Sequence, residues 1–432
     1  MSAGTVIVGA SQAGVQLAIT LRELGYAEPI SLVGAEPRLP YQRPPLSKGF
    51  LLGKAQEGSL TLRTATFYVD REIDLLCGER VGDASLPTDA EPGVARTNSG
   101  RSLPFDHLAL TVGARPRRLS VPGADLDGVH YLRDVDDAAR LRAALDAADR
   151  VVVIGGGYIG LEAAAVARSL GKAVTVVEAA ERLIARSVAP VVSEFYREAH
   201  ERRGVHVLLA TAVLALTGRD GRVSGVEVSD GTVLPADLVL VGVGAVPRTE
   251  LAEALGLHCD GGIVVDRFAQ TSASAVVAAG DCTVLPHPLT GDVRLRLESV
   301  QNAVGQAKVA AANVAGRPQS YAEVPWFWSD QYELKLQIVG LAAGYDQYVL
   351  RGDPAAERFS VLYYRERRLL AADAVNSAGD YLAVRKALTT GSAIPPDLAG
   401  DTTHPLKALL VPEVARRVPQ DEAQDHAMDS QV

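Results

Sequence analysis

Apolar and polar residues alternate in blocks at the start of the chain, and the blocks have the lengths of a strand, a helix and a second strand. Val6, Ile7 and Val8 form a short apolar run, and small residues dominate positions 9–14. Residues 15–24 then carry apolar side chains at helical spacing, and residues 29–33 form a second apolar run. This change of period predicts a strand, a glycine-rich turn, a helix and a strand.

The same order of blocks returns about 145 residues later. Residues 151–154 are Val-Val-Val-Ile, residues 155–160 are Gly-Gly-Gly-Tyr-Ile-Gly, and residues 161–170 form an alanine-rich stretch at helical spacing. Residues 173–177 form the next apolar run. Each unit is typical of the start of a nucleotide-binding fold, in which helices cover a mostly parallel sheet. Two such units therefore predict two nucleotide-binding domains of the α/β class.

The pattern changes in two further places. Residues 83–110 are divided into short polar and turn-rich segments, which favour antiparallel strands. From Pro325 onwards both tryptophans occur, and residues 359–364 read as an alternating strand. These features predict a third, smaller α+β domain. Beyond about Pro412 the chain is rich in charged and polar residues, which predicts a flexible tail.

Composition narrows the class of protein without identifying it. Among 432 residues, 47% are apolar and 22% are charged, which argues against a largely disordered chain. The longest apolar runs, such as residues 236–246, contain glycine and are too short to span a membrane. An apolar strand that begins at the fifth residue leaves no room for a signal peptide. The net charge of −9 argues against a nucleic-acid partner.

The three cysteines are far apart in the sequence. Cys77, Cys259 and Cys282 include no Cys-x-x-Cys pair, so neither a disulfide framework nor a zinc site is expected. We interpret them as small apolar residues that are buried or half-buried. This use of cysteine predicts a reducing, cytoplasmic location.

The second glycine-rich turn carries a complete dinucleotide-binding fingerprint. Its glycines are Gly155, Gly157 and Gly160, with Tyr158 and Ile159 between the last two. In such a turn the first glycine allows the tight bend, the second lets a phosphate approach, and the third lets the helix pack on the strand. Backbone N–H groups at the start of the helix then face the pyrophosphate.

The first glycine-rich turn departs from this fingerprint at one position. Gly9 and Gly14 are present, but Ser11 stands where the middle glycine is expected. The Cβ atom of a serine narrows the space for a phosphate, whereas its hydroxyl can donate a hydrogen bond to one. Either turn alone is weak evidence, and two turns in the same context are much stronger evidence.

Acidic residues follow the second strand of each unit. Glu178 lies 18 residues after Gly160, where a carboxylate accepts hydrogen bonds from a ribose and repels a 2′-phosphate. This position favours NADH, although a solvated carboxylate at a strand end is the alternative. Arg182 and Arg186 are close enough in sequence to leave NADPH open. In the first unit Glu36 lies slightly later than is ideal for a ribose contact.

Three further motifs make the comparison with known families more specific. Residues 111–117 read Thr-Val-Gly-Ala-Arg-Pro-Arg, residues 242–247 read Gly-Val-Gly-Ala-Val-Pro, and residues 279–281 read Ala-Gly-Asp. With the two turns, they resemble the pyridine-nucleotide:disulfide oxidoreductase superfamily. The disulfide reductases of that superfamily carry a redox cysteine pair near the flavin, and residues 40–48 here contain no cysteine. Electrons therefore do not leave through a disulfide at this position.

The remaining motifs resemble the ferredoxin reductases of bacterial oxygenase systems. They are Pro-Pro-Leu-Ser-Lys at residues 44–48, Glu-Ser-Val-Gln-Asn-Ala at residues 298–303, and Pro-Trp-Phe-Trp-Ser-Asp-Gln-Tyr at residues 325–332. The resemblance covers roughly residues 4–410. The sequence departs from the family at Ser11, at Val112 and at Ala35, which stands at a commonly acidic position.

This resemblance implies a glutathione-reductase-like fold with two Rossmann-like domains and a C-terminal α+β domain. It implies an FAD-binding domain of residues 1–112 and 244–323 and an NADH-binding domain of residues 113–243. The C-terminal domain then comprises residues 324–411, followed by a flexible tail at residues 412–432.

The same resemblance assigns roles to single positions. The positions that match FAD contacts are Ala13, Lys48, Val81, Arg133, Asp281 and Val300. The candidate FAD site also includes Gly9, Ser11, Gly14, Glu36, Arg43 and Trp328. The candidate NADH site comprises Gly155, Gly157, Tyr158, Ile159, Gly160, Glu178 and Gly244.

Lys48 and Glu162 are the candidate catalytic pair. The resemblance implies that Lys48 lies near flavin N5 and pairs with Glu162. A buried Lys–Glu pair is tolerated where a single buried charge is not, and a lysine there stabilises negative charge on the reduced flavin. A surface role for Lys48 is the alternative. The resemblance also places Trp328, or Trp326, beside the flavin, and the alternative is that both are core aromatics.

The implied activity is electron transfer from NADH through FAD to a [2Fe-2S] ferredoxin that supplies a cytochrome P450 or a ring-hydroxylating dioxygenase. Such ferredoxins are acidic, so a chain with a net charge of −9 needs a local basic rim. Lys308 and Lys335 are the candidates for that rim. A rubredoxin reductase and a flavin NADH oxidase are the alternative functions.

Overall fold

The computed structural model describes residues 2–287, 289 and 291–412. Apart from Pro412, the predicted flexible tail lies outside the described residues. The elements of the first segment are β1 (Thr5–Val8), α1 (Gln12–Glu23), β2 (Ile30–Gly34), two 3-10 helices (Pro44–Ser47 and Glu57–Leu60), α2 (Ala65–Asp70), β3 (Ile73–Cys77), β4 (Val81–Ser85), β5 (Gly93–Thr97), β6 (Ser102–Phe105), β7 (His107–Leu110) and β8 (Ala114–Pro116).

The second segment contains the second glycine-rich turn. Its elements are β9 (Val129–His130), α3 (Val135–Ala147), β10 (Arg150–Ile154), α4 (Tyr158–Ser169), β11 (Ala173–Val177), α5 (Pro190–Arg202), β12 (Val205–Leu208), β13 (Val213–Arg219), β14 (Arg222–Val228), β15 (Val233–Pro235), β16 (Leu238–Val241) and β17 (Ala245–Pro247). Helices α1 and α4 begin three residues before the apolar periodicity predicts, because the last residues of each turn already have helical conformation.

The remaining elements follow in chain order. They are α6 (Glu250–Ala254), β18 (Ile263–Val264), β19 (Val276–Ala278), β20 (Thr283–His287), β21 (Gly291–Leu295), α7 (Val300–Val314), β22 (Trp326–Gln331), β23 (Leu334–Gly340), β24 (Gln347–Asp353), β25 (Arg358–Arg365), β26 (Arg368–Val375), α8 (Ala378–Thr390), β27 (Ser392–Ala393), α9 (Pro396–Ala399), a 3-10 helix (Leu406–Leu409) and β28 (Val411–Pro412).

Two parallel sheets confirm the predicted α/β class. The first has the described strand order β19-β7-β1-β2-β3, and the second has the order β12-β11-β10-β16-β9. All described pairs in both sheets are parallel, and β1 and β10 lie at the centres. Strands covered by helices on both faces are apolar throughout, which explains the continuous runs at β1, β10 and β16.

The strands of residues 81–110 are only partly as predicted. Strands β4, β5 and β6 form the expected antiparallel sheet. Strand β7, however, pairs in parallel with β1 and joins the first nucleotide-binding sheet. Its burial explains the difference, since Leu108, Ala109 and Leu110 are all fully buried in the core. The predicted domain boundaries near residues 112, 243 and 323 stay predictions.

The C-terminal region forms an antiparallel sheet in the order β22-β23-β26-β25-β24, packed against α8. Strand β25 differs from the predicted alternation of buried and exposed residues. Six consecutive residues of its eight are buried, so both faces of the strand are covered. Phe359, Val361 and Tyr363 belong to the core that also contains α4 and α5 residues, whereas Leu362 and Tyr364 pack in the core that contains α8. The sheet is thus sandwiched between the second nucleotide-binding region and its own helix.

Candidate functional site

The first glycine-rich turn is shaped by close backbone packing. Gly9 has φ +118°, and a Cβ atom there would lie 2.2 Å from the Thr111 carbonyl oxygen. A Cβ atom on Gly14 would lie 2.0 Å from the Gly9 carbonyl oxygen, so neither position accepts a side chain. Ser11 is the N-cap of α1, and within the described chain its hydroxyl makes no capping bond. The first backbone N–H groups of a helix have no intrahelical acceptor and are available to a phosphate.

The glycines of the second turn are of two kinds: two are required by close packing, and one lies beside open space. A Cβ atom on Gly155 would lie 2.5 Å from the Gly242 carbonyl oxygen, and one on Gly160 would lie 2.2 Å from the Gly155 carbonyl oxygen. By contrast, a Cβ atom on Gly157 would meet no described atom within 4 Å. Protein packing therefore requires the outer glycines, whereas the space beside Gly157 is open.

The two residues between Gly157 and Gly160 point to different environments. Ile159 is 45% exposed at the start of α4. The Tyr158 ring lies 4.6 Å from the Phe327 ring of β22, centroid to centroid. Its hydroxyl is buried, and burial raises its pKa. Tyr158 is therefore placed against the C-terminal sheet, and Ile159 faces outward.

Glu178 is held against the second turn. Its Oε2 atom accepts a hydrogen bond from the Gly156 N–H at 2.6 Å, and its Oε1 atom accepts one from the Ala180 N–H at 2.7 Å. The carboxylate thus lies beside the fingerprint, at the end of β11. This is the location at which a carboxylate meets an adenosine ribose in the fold.

The two arginines that leave NADPH open differ in their contacts. The Arg182 guanidinium donates to the carbonyl oxygens of Ala185 and Val188 and to the Ser193 hydroxyl, so both of its terminal nitrogens are engaged inside the protein. Arg186 is exposed, and its Nη2 atom lies 3.5 Å from the position that a Cβ atom of Gly244 would occupy. Arg186 therefore lies at the same turn as Gly244, whereas both terminal nitrogens of Arg182 already donate within the protein.

Glu36 forms an ion pair with another predicted FAD residue. Arg43 Nη2 lies 2.5 Å from Glu36 Oε1, and the Tyr41 hydroxyl donates to Glu36 Oε2 at 2.5 Å. Arg43 also donates to the Arg133 carbonyl oxygen at 2.9 Å. Burial raises the pKa of Tyr41, so this hydroxyl keeps its proton and remains a donor. The three predicted residues Glu36, Arg43 and Arg133 are connected in the fold.

Asp281 lies next to the first helix. A Cβ atom on Gly280 would lie 3.3 Å from the Ala13 Cβ atom, so this turn packs against the start of α1. Asp281 Oδ2 lies 3.2 Å from Arg133 Nη2. The remaining predicted FAD residues are at element starts, with buried Val81 first in β4 and half-buried Val300 first in α7.

The Glu162 carboxylate is the point where distant parts of the chain meet. It lies on α4, is 3% exposed, and accepts from Lys48 Nζ at 2.8 Å on its Oε2 atom. The Ser47 hydroxyl donates to the same oxygen at 2.5 Å, and the Ser329 hydroxyl of β22 donates to Oε1 at 2.6 Å. The structure thus contains the Lys48–Glu162 pair, and it adds two hydroxyl donors. A buried carboxylate needs such partners to remain ionised.

The two tryptophans lie on β22, and the two candidate docking lysines lie on α7 and β23. The Trp326 and Trp328 rings are half-buried and 5.7 Å apart, centroid to centroid. They alternate along β22 with Ser329 and so point to its opposite face. Lys308 on α7 and Lys335 on β23 are exposed. Lys335 is paired across the ladder with Asp330, which reduces the positive charge it presents.

Sequence reasoning missed two donors of the Glu162 site, Ser47 and Ser329. Both stand inside the motifs that carry the resemblance, and Ser329 begins a polar run, Ser-Asp-Gln, directly after Trp-Phe-Trp. That contrast was the available signal, because a buried polar side chain in a strand needs a partner. Its partner could not be read from the sequence, since Ser329 and Glu162 are 167 residues apart.

The comparison with known families agrees with this geometry. A family model described as pyridine nucleotide-disulphide oxidoreductase matches residues 4–307, and a second model, described as reductase C-terminal, matches residues 326–410. The chain therefore belongs to the pyridine nucleotide-disulphide oxidoreductase family. Within it, the chain is of the kind that carries a reductase C-terminal region.

Individual relatives cover nearly the whole chain. It is 45% identical over 405 residues to rhodocoxin reductase of Rhodococcus erythropolis, with 94% of each chain covered. It is 38% identical over 371 residues to rubredoxin-NAD(+) reductase of Pseudomonas putida, over 86% of this chain and 95% of that relative. The solved covalent complex of putidaredoxin reductase with putidaredoxin matches at a TM-score of 0.89 and 41% identity, covering 94% of this chain and 97% of that one. The predicted family is confirmed.

The protein is an oxidoreductase that uses FAD and a pyridine nucleotide. The residues present fit both groups: two helix starts offer backbone donors, and the space at Gly157 is open. Thiol chemistry does not fit. Burial raises the pKa of the Cys282 thiol to about 12 and also raises the pKa of the Cys77 and Cys259 thiols. Among the described residues, no helix is long and apolar enough to cross a membrane.

Proposed function

We propose that this protein is an NADH-dependent reductase that passes electrons through FAD to a [2Fe-2S] ferredoxin, which supplies a cytochrome P450 or a ring-hydroxylating dioxygenase. One observation carries the proposal. The segment that provides a cysteine pair in disulfide reductases provides Lys48 here, and Lys48 is paired with Glu162 on the helix of the second fingerprint. The site therefore suits electron exit to a separate one-electron carrier.

The protein's own contribution is binding, orientation and charge. Bound FAD would supply the acceptance of a hydride from the nicotinamide and the release of electrons one at a time. The starts of α1 and α4 hold the two pyrophosphates through backbone N–H groups. Lys48 supplies a positive charge that favours the electron-rich flavin, and Glu162 keeps the lysine in place. Tyr158, packed on Phe327, joins the start of α4 to the C-terminal sheet.

The choice of NADH rests on the surroundings of the second fingerprint. The Glu178 carboxylate lies against the Gly156 N–H, where a 2′-phosphate would meet a negative charge. Arg182, which could otherwise neutralise that phosphate, donates to Ala185, Val188 and Ser193. Both features favour a free 2′-hydroxyl, and therefore NADH.

We also propose that the protein works in the cytoplasm. Its three cysteines are free thiols: Cys282 is buried, and Cys77 and Cys259 are half-buried. Buried thiols without a nearby partner are typical of proteins from reducing compartments.

The function is tested by two measurements on the FAD-loaded protein. In stopped-flow experiments, NADH should bleach the flavin absorbance much faster than NADPH. Cytochrome c reduction should then depend on an added [2Fe-2S] ferredoxin and be much slower with rubredoxin. A flavin that stays oxidised with NADH would contradict the proposal, and faster reduction with rubredoxin would favour the alternative acceptor.

Glu178→Ala should raise the KM for NADH by about tenfold, because one charge-assisted contact to the ribose is lost and the turn loses its internal acceptor. The KM for NADPH should rise less, since the repulsion of its phosphate is removed at the same time. Steady-state kinetics with both nucleotides measure the ratio. Glu181→Ala, at an exposed carboxylate three residues away, is the control and should leave both KM values unchanged. An unaltered KM in Glu178→Ala would remove Glu178 from the site.

Lys308→Ala should raise the KM for an acidic ferredoxin several-fold at low ionic strength, and the difference should shrink as salt is added. Lys335→Ala should have a smaller effect, because Asp330 lies opposite Lys335 in the ladder. Arg219→Ala, at the end of β13, removes an exposed cation that lies 3.8 Å from the Asp220 carboxylate, and it serves as the control. A salt-independent effect, or an equal effect of Arg219→Ala, would contradict a docking role for Lys308.

A further inference from the structure

A chain of hydrogen bonds leads from α5 through the C-terminal sheet to the Glu162 carboxylate. His200 Nε2 lies 2.8 Å from Gln331 Oε1, Gln331 Nε2 lies 3.2 Å from the Ser329 hydroxyl, and that hydroxyl lies 2.6 Å from Glu162 Oε1. His200, Ser329 and Gln331 are fully buried. The chain therefore runs through the protein interior and connects three separate elements, α5, β22 and α4.

The direction of every bond in this chain can be assigned. Burial lowers the pKa of His200 to about 4, so its ring is neutral at pH 7 and carries one proton. Because the Gln331 carbonyl oxygen only accepts, that proton lies on Nε2. The Gln331 amide then donates to Ser329, so the single hydroxyl proton of Ser329 points to Glu162. All bonds run toward the carboxylate.

The negative charge of Glu162 is consequently shared among donors from different regions. Ser47 and Lys48 donate to Oε2, and Ser329 donates to Oε1. Each hydroxyl bond takes up part of the charge that would otherwise fall on the Lys48 ammonium. The more charge the hydroxyls carry, the more positive the potential that Lys48 presents on its other side.

We propose that Ser329 is a positioning residue of the C-terminal region that, through Glu162, sets the positive charge that Lys48 presents to the flavin. The proposal rests on the proposed function in that it takes Lys48 to lie near the flavin. It assigns the C-terminal sheet a part in tuning the redox centre, in addition to packing against it.

The experiment measures the midpoint potential of the bound FAD by photoreduction against a reference dye, which requires neither NADH nor a ferredoxin. Ser329→Ala should lower the potential by an amount that corresponds to a several-fold smaller equilibrium constant for flavin reduction, because only part of the roughly tenfold contribution of one hydrogen bond to a charged group reaches the flavin through Glu162 and Lys48. Ser329→Thr keeps the hydroxyl and should restore the wild-type value. Ser360→Ala is the matched control, because Ser360 is equally buried in the same sheet and donates to the Asp380 carboxylate instead.

A double-variant comparison identifies the route of the effect. In a Glu162→Gln background, Ser329→Ala should leave the potential unchanged, because the carboxylate charge that the Ser329 hydroxyl takes up is absent. If Ser329→Ala does not fold, Ser329→Cys, which replaces the hydroxyl with a weaker donor, serves in the same comparison. A wild-type potential in the single variant, or an equal shift in the Glu162→Gln background, overturns the proposal. Failure of the wild-type protein to take electrons from NADH would instead reject the proposed function and leave this test readable.

Discussion

Glu162→Ala should lower the free energy of unfolding by about 3 kcal/mol, the cost of leaving one partner of a buried ion pair alone. Glu162 is 4% exposed and Lys48 is 19% exposed as side chains, so solvent compensates little for the loss of the pair. The variant also leaves the Ser47 and Ser329 hydroxyls without their acceptor. Denaturant unfolding monitored by protein fluorescence measures the difference.

Two further variants separate the ion pair from general damage to α4. Lys48→Met together with Glu162→Leu removes both charges and should recover most of the lost stability, because well-packed apolar residues replace a buried pair at little cost. Glu194→Ala breaks an exposed helical pair with Arg197 and should change the stability by less than about 1 kcal/mol. A double variant that is less stable than Glu162→Ala would show that the pair is not what stabilises this junction.

Asp373→Asn should stabilise the protein at pH 8 and do so much less at pH 5. Asp373 is 1% exposed on β26, and its Oδ2 atom accepts from the Tyr363 hydroxyl at 2.5 Å. Burial raises its pKa to about 7, with the Tyr363 bond opposing the shift. The pKa of Tyr363 and of nearby Tyr158 and Tyr196 is also raised by burial, so these groups stay neutral in this range.

The direction in which stability changes with pH follows from the number of protons that the folded and unfolded states bind. Between the unfolded pKa of about 4 and the folded value, the folded state holds a proton that the unfolded state releases, so stability falls as the pH rises. Below about pH 4 both states are protonated and the penalty disappears. From pH 5 to pH 8 the penalty grows by roughly 3 kcal/mol, and asparagine does not incur it.

Unfolding of wild type and Asp373→Asn at pH 5 and pH 8 measures this difference. Asp353→Asn, at an exposed position on β24, is the control and should show no such change between the two pH values. A stabilisation by Asp373→Asn that is the same at both pH values would mean that Asp373 is already ionised at pH 5. In that case the buried carboxylate would have partners beyond Tyr363.

Local sequence patterns predicted the parts of the fold that depend on neighbouring residues. The outer glycines of each turn are required because helix and strand approach within a few ångströms there, as Gly14 and Gly160 show. The carboxylate of Glu178 was also predictable, since it ends the strand that follows the fingerprint. Strand β7 was mispredicted as antiparallel, because its partner β1 lies about a hundred residues away and only packing selects it.

The sequence by itself thus determined the two α/β units, the family and the charged residues of interest. Hydrophobic periodicity and turn chemistry are local, and they survive without knowledge of the rest of the chain. Only the tertiary structure decided which donors surround Glu162. It also decided that the Arg182 guanidinium donates within the protein and that both faces of β25 are covered. These depend on how sheets and helices from distant segments pack against one another, and that arrangement is set by the shape of the whole core.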